Sequence, residues 1–324
     1  IDQIGVIDSA ARGTTDVDEM TDLSKAFRIQ LKQRVRVSRL HLASTVSSSA
    51  DSAAKFLFQL SDGLHVESVL MRDGQRVTAC LSSQVGCPLG CTFCATAKMG
   101  FVRNLRAAEI VDQLIQMQRR ALEQGGRITN VVMMGMGEPL LNYDPLVRSL
   151  RIMRQEQGLA IGGRRTTVST AGYVPGIRRL AREGLNVGLA ISLNGTTDPQ
   201  RSAIMPINRK FDIDHLVAAA GEYFELTGRR VTFEYVLMEG LTDSEADATR
   251  LARLSGRVPC KINLIPYNQF DPADDFRRPA PDRTRLFKEI LSGSTRVTVT
   301  IRESKGKDVL AACGQLYHRN ETAK

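Results

Sequence analysis

The chain has 324 residues, 42% of them hydrophobic and 24% charged, which fits a folded globular protein and excludes a fibrous or mainly disordered one. Its net charge is +9 and 34 of its 44 basic residues are arginine, so its surface suits a polyanionic partner with phosphates matched to the guanidinium fork. No apolar run approaches the ~20 residues of a membrane helix, no signal-peptide pattern precedes the first elements although the chain starts at Ile1, and six cysteines are too few for a disulfide scaffold.

In chain order, residues 18–33 carry helical spacing with Asp22 as its N-cap, and the Ser/Ala-rich stretch 45–54 reads as a linker or loop. Regular alternation follows. Apolar, β-branched runs at 77–82, 128–134, 166–170, 187–192, 230–237 and 260–266 predict strands, with another at 295–302. Between them, 107–121, 144–156, 175–183, 212–226, 243–254 and 280–292 carry helical spacing. Six strand-then-helix units in series imply an α/β fold of parallel strands with right-handed crossovers, either a doubly wound sheet or a full or partial (βα) barrel. Small and polar residues collect just after the strands, in GMGEP (135–139), STAG (169–172), SLNG (192–195) and PYNQF (266–270). Those C-terminal strand ends are where either architecture builds its site.

Cys87, Cys91 and Cys94 fall within eight positions after the first of these strands, with no fourth Cys or His nearby. Structural zinc is normally four-coordinate and closed, and a second pair of ligands is missing here. Three thiolates on one loop suit a [4Fe–4S] cluster with one iron left for a non-protein ligand, zinc and purely structural thiols being the other readings. Cys260 and Cys313 stand alone, and a lone cysteine is most often a small buried hydrophobe.

The stretch CLSSQVGCPLGCTFCATAKMGFVRNL (80–105), with VVMMGMGEPLLN (131–142), STAGYVPGI, LAISLNG, RSAIMPINRKF, KINLIPYN and AACGQL (311–316), resembles the radical S-adenosylmethionine (SAM) RNA methyltransferases, and most narrowly the RlmN family. The resemblance runs from about residue 16 to 318. It implies a partial (βα)6 barrel of the TIM-like radical-SAM type, with residues 1–50 as the remnant of a small N-terminal helical domain and linker, and 51–324 as the catalytic domain. It also implies methylation of adenine C2 in 23S rRNA and in tRNA, with two SAM per turnover. The Cfr-type enzymes, which methylate C8, are a sister group, and a non-catalytic zinc- and RNA-binding protein is the alternative from another class.

Carried over position by position, the resemblance makes Cys87, Cys91 and Cys94 the cluster ligands, and Gly137, Glu138, Ser169, Ser192, Leu193, Asn194 and Asn268 the SAM-binding residues. Asn194 stands where the family commonly has His. Cys313 would be the cysteine that is methylated and then bridged to the base, Cys80 the thiol that resolves it through a transient disulfide, and Glu67 the acceptor of the adenine proton. An electron donor such as flavodoxin, a cytoplasmic location and a monomeric, membrane-free enzyme are the accompanying expectations. The basic pairs Arg119–Arg120, Arg164–Arg165, Arg178–Arg179, Arg209–Lys210 and Arg229–Arg230 are candidate contacts to RNA phosphates.

Overall fold

The computed structural model describes residues 16–21, 23–34, 40–156, 158–271 and 275–317. At the N-terminal end, the single helix expected over 18–33 is two pieces: a 3-10 turn at Val17–Glu19, capped by the Asp16 carboxylate, and helix α1 (Lys25–Arg34). The proposed cap Asp22 lies outside the described residues.

Ten strands form one sheet in strictly sequential order. Its first four, β1 (His41–Ser47), β2 (Ala53–Gln59), β3 (His65–Asp73) and β4 (Arg76–Cys80), are an antiparallel meander. The linker expected at 45–54 is therefore a tight turn between two paired strands, and a division at residue 50 falls inside that hairpin. Each of the six units that follow is a strand and the helical return after it, and every neighbouring pair is parallel. They run from β4 through α3 (Ala107–Glu123), β7 (Asn130–Met133), α4 (Tyr143–Arg154), β8 (Thr166–Thr170), α5 (Val174–Ala181) and β9 (Gly188–Ser192). Helices α6 (Asp198–Ile204) and α7 (Ile213–Thr227), β10 (Val231–Leu237), α8 (Glu245–Ser255), β11 (Cys260–Pro266) and α9 (Pro281–Ser294) complete them, and β12 (Thr298–Ile301) is a last parallel strand. A doubly wound sheet would reverse direction at a switch point. This order never does, so the sheet is a barrel wall left open between β12 and β1.

The helices cover the outside because their apolar positions recur every three or four residues. In α3, Ile110, Leu114, Met117 and Ala121 are all fully buried, and each large side chain there contributes roughly 1.5–3 kcal/mol of burial. Between β4 and α3 the chain makes a separate ribbon, β5 (Gln84–Gly86) against β6 (Phe101–Asn104), with the short helix α2 (Ala95–Lys98) inside its loop.

After β12 the chain crosses the open side of the barrel wall. The Gly306 N–H donates to Asp51 at 2.8 Å, and Asp308 accepts from the Ser48 hydroxyl at 2.7 Å and the Ser49 N–H at 2.8 Å. The turn that the sequence suggested was a linker is thus the dock for the C-terminal segment.

Candidate active site

The C-terminal ends of the parallel strands surround a cavity of about 170 Å³, and a second of about 390 Å³ lies among their earlier residues inside the barrel; the two share Met134, Glu234, Arg302 and Cys313 in their walls. The smaller is lined by Cys87, Cys91, Cys94, Gly137, Glu138, Ser169, Ser192, Asn194, Asn268 and Cys313 among others. The larger lies deeper in the barrel and is lined by Cys80. Of the expected SAM residues only Leu193 lies off the wall: it is fully buried, with its N–H on Glu234 O and its carbonyl accepting from Arg201.

A close backbone approach with no room for a Cβ holds the cysteine loop. Gly86 has φ +73°, and a Cβ there would sit 1.8 Å from the Gly100 carbonyl oxygen, which accepts the Cys87 N–H at 2.9 Å. Leu89 and Phe93 of the loop, which also line the cavity, pack against Ile204, Met205, Met238 and Tyr267. Burial pushes all three thiols up, Cys87 to about 12, and each also feels a neighbouring sulfur of the set or, at Cys94, Cys313. Among the described residues, no three His, Cys, Asp or Glu side chains converge as one metal ion requires. The three thiols share a wall without meeting at a point, and thiols kept neutral by burial become thiolates only when a metal replaces their protons.

The GMGEP loop lies against the end of β4. A Cβ on Gly137, whose φ is +96°, would come within 2.5 Å of the Gln84 side chain, whose amide oxygen Oε1 accepts the Glu138 N–H at 2.8 Å. The Glu138 carboxylate accepts the N–H of Ala171 at 2.7 Å and that of Leu140 at 3.1 Å. Burial raises its pKa to about 7, those N–H groups only partly opposing it. Opposite, Asn268 donates to the Ser304 hydroxyl at 2.8 Å and to the Cys313 carbonyl at 3.3 Å, its own buried oxygen having no partner among the described residues. A carboxylate near neutrality, an unmatched amide oxygen and half-buried seryl side chains fit a ligand that carries an ammonium, a carboxylate and a ribose. Asn194 is at the wall but already committed: at φ +52° its oxygen accepts the Val236 N–H at 2.9 Å and its amide points at the Met205 sulfur.

The terminal segment brings Cys313 to this mouth. Gly314, at φ +82°, turns the chain so that its carbonyl accepts the Ala95 N–H at 2.8 Å, while Gln315 donates to Gln269 O at 2.7 Å and Thr96 to Leu316 O at 2.7 Å. Cys313 is exposed, and all six cysteines are free thiols. Glu67 is a different matter. It faces neither cavity wall, being buried on β3 with one oxygen 3.0 Å from Lys55 Nζ and the other accepting the Tyr317 N–H at 2.8 Å.

Sequence reasoning missed Arg201. Wholly buried, it donates to the carbonyls of Leu193 (2.8 Å), Ala171 (2.6 Å) and Ser192 (3.2 Å) and to the Asn208 side chain (2.8 Å). Burial lowers its pKa to about 10, opposed by Cys91 and Asp198. It ties the ends of β8 and β9 together beneath the cysteine loop. Most of the basic pairs are elsewhere: Arg164–Arg165 and Arg229–Arg230 directly precede β8 and β10, at the barrel end opposite the site. Arg120, Arg178 and Arg179 are paired with Glu123, Glu222 and Asp144. No described helix is long and apolar enough to cross a membrane.

Residues 81–252 match the Radical SAM superfamily. A dual-specificity RNA methyltransferase RlmN of Anaeromyxobacter dehalogenans is 46% identical over 94% of this chain and 82% of its own. The RlmN protein of Syntrophobacter fumaroxidans is 45% identical over 94% of this chain and 88% of its own. A crystal structure of a radical SAM methyltransferase from Sphaerobacter thermophilus superposes with a TM-score of 0.91 at 46% identity, covering 97% of this chain and 92% of that one.

Proposed function

The chain belongs to the RlmN family within the radical SAM superfamily, and from that premise we propose that it methylates adenine C2 in 23S rRNA and in tRNA through a cysteine-bound methyl group. One observation carries the reading: Cys87, Cys91, Cys94 and Cys313 line a single cavity, although more than two hundred residues separate the loop from the terminal turn. Cys87, Cys91 and Cys94 would hold a [4Fe–4S] cluster, which suits thiols spread along a wall better than one zinc ion does. Glu138, Ser169, Ser192 and Asn268 would hold SAM, with Gly137 allowing its close approach. Bound together, these groups supply one-electron cleavage of the sulfonium and hence a hydrogen-abstracting species, chemistry that belongs to the cofactor.

The protein's own residues do the rest. Asn268 fixes the carbonyl of Cys313, so the sulfur is presented at the mouth where a flipped base can enter. A carbon held on that sulfur can be joined to adenine C2, a position too electron-poor for ordinary methyl transfer. Cys80, in the adjoining cavity, then releases it by attack on the Cys313 sulfur. For Glu67 to take the adenine proton, the Tyr317 N–H has to let go of its carboxylate, so the last described residues would shift when RNA docks. Mass spectrometry of rRNA and tRNA nucleosides from cells with and without the gene tests the assignment. 2-Methyladenosine lost from both RNAs supports it, and 8-methyladenosine lost instead moves the chain to the C8 reaction. Anaerobically purified protein with about four irons per chain is expected, and one zinc without colour would sink the radical mechanism.

A further inference from the structure

Arg302 follows β12 directly, its N–H on Leu264 O at 2.8 Å, and its half-buried side chain lies in the walls of both cavities. Its guanidinium is 3.9 Å from Glu234, whose other carboxylate oxygen is buried with no hydrogen-bond partner among the described residues. Glu234 is further held by Asn263, which donates to the first oxygen at 3.0 Å. Cys80 and Cys313 line the same deeper cavity as this pair. We infer that Arg302 is the positioning residue for the two-thiol step, stabilising the Cys80 thiolate as it attacks Cys313, with Glu234 tempering its charge. This rests on the two-cysteine reading above.

A buried thiol needs such help. Burial pushes Cys80 up to about 12, so at neutral pH almost none of it is the attacking thiolate. Among the groups facing it, the Cys313 sulfur opposes ionisation, whereas Arg302 and the Met134 N–H favour it. Arg302 is in turn raised by Cys313, Glu234 and Cys80, so it senses both sulfurs. Asp73, Arg76, Glu303 and Lys305 line the same cavity. In the step itself, Cys80 loses its proton to solvent and its sulfur gives an electron pair to the Cys313 sulfur. The S–S bond forms as the bond from that sulfur to its carbon substituent breaks, and the pair leaves on carbon, which takes up a proton.

The test uses the full, anaerobically iron-loaded chain with glutathione disulfide as oxidant, which forms the Cys80–Cys313 disulfide and releases two glutathione thiols. Peptide mapping gives its rate from pH 6.5 to 9.5, below the Cys80 midpoint, where the rate follows the small thiolate fraction. Arg302→Met is expected to lower that fraction and to slow the reaction about tenfold across the range. Arg302→Lys, retaining the charge, is expected to restore most of the rate. Glu234→Gln is expected to speed the reaction, which keeps the inference testable should Arg302→Met fail to fold. Disulfide formation at an unchanged rate in Arg302→Met or, where that variant does not fold, in Glu234→Gln would overturn the role of Arg302 while leaving the two-thiol reading intact. No Cys80–Cys313 disulfide in the unaltered chain would overturn both.

Discussion

Removing the Cys313 sulfur takes away the proposed methyl carrier without touching any of the three loop cysteines. Cys313→Ala is expected to retain iron and SAM binding and to lose RNA methylation entirely, as read by nucleoside mass spectrometry. Cys80→Ala acts later: activity should fall while a nuclease-sensitive protein–RNA adduct accumulates on denaturing gels. Removing a thiol that served only to fill the core would instead cost ~1 kcal/mol of stability and leave no adduct. Glu138 carries a pH dependence whose sign is fixed by burial. Its folded value of about 7 lies above the ordinary 4.5, so its contribution is complete below 4.5 and is lost as pH rises through 7. The ligand-free chain should therefore lose up to about 3 kcal/mol of stability over that window, and Glu138→Gln should flatten the slope in chemical denaturation. A ligand ammonium favours the ionised carboxylate, so SAM should bind more tightly as pH rises over the same range. At this scale the cysteines were readable because their chemistry is written in one contiguous motif. Arg201 was not, because an arginine on a short helix reads as solvated and only the tertiary fold puts it under three carbonyls.

The cysteine loop is an element held open by its ends. Adding one methyl group at Gly86 drives a carbon into the Gly100 carbonyl, the same carbonyl that anchors Cys87. Gly86→Ala is expected to cost more than ~2 kcal/mol and to cut iron incorporation severalfold even where the chain still folds. Iron per chain, set against far-UV circular dichroism, separates the two effects. The parallel strands and their helices were legible because each buries one or both faces and so carries a clear period: 166–170 and 260–266 coincide with β8 and β11. The hairpin β1–β2 was not legible. All seven residues of β1 are exposed, so HLASTVS shows no alternation, and the Ser-rich turn beside it reads as a linker when taken alone.

Across the whole molecule, the barrel is completed by contacts between its first hairpin and its last segment. Replacing both Asp51 and Asp308 with Ala removes the bonds to Gly306, Ser48 and Ser49 at once. The double variant is expected to keep its iron, to be cut by protease within 303–317, and to lose most RNA methylation. That dependence was invisible in the sequence, since Asp51 and Gly306 are 255 positions apart and neither belongs to a local pattern. The arginine excess, by contrast, was visible but misleading about place, because several of its pairs mark the barrel end away from the site.

The terminal turn also imposes an order on maturation. Gly314 seats on the first residue of α2 and Leu316 on the second, so the docked segment lies over the helix that begins immediately after Cys94. Iron and sulfide delivered from outside would have to reach the loop thiols before that cover settles, or wait for it to lift. A chain still emerging from the ribosome exposes those thiols until residues 313–317 are made, so loading has a natural interval during synthesis. Reconstitution of the finished protein should consequently be limited by breathing of its C-terminal segment rather than by the supply of iron, with a rate that stays level as iron is increased.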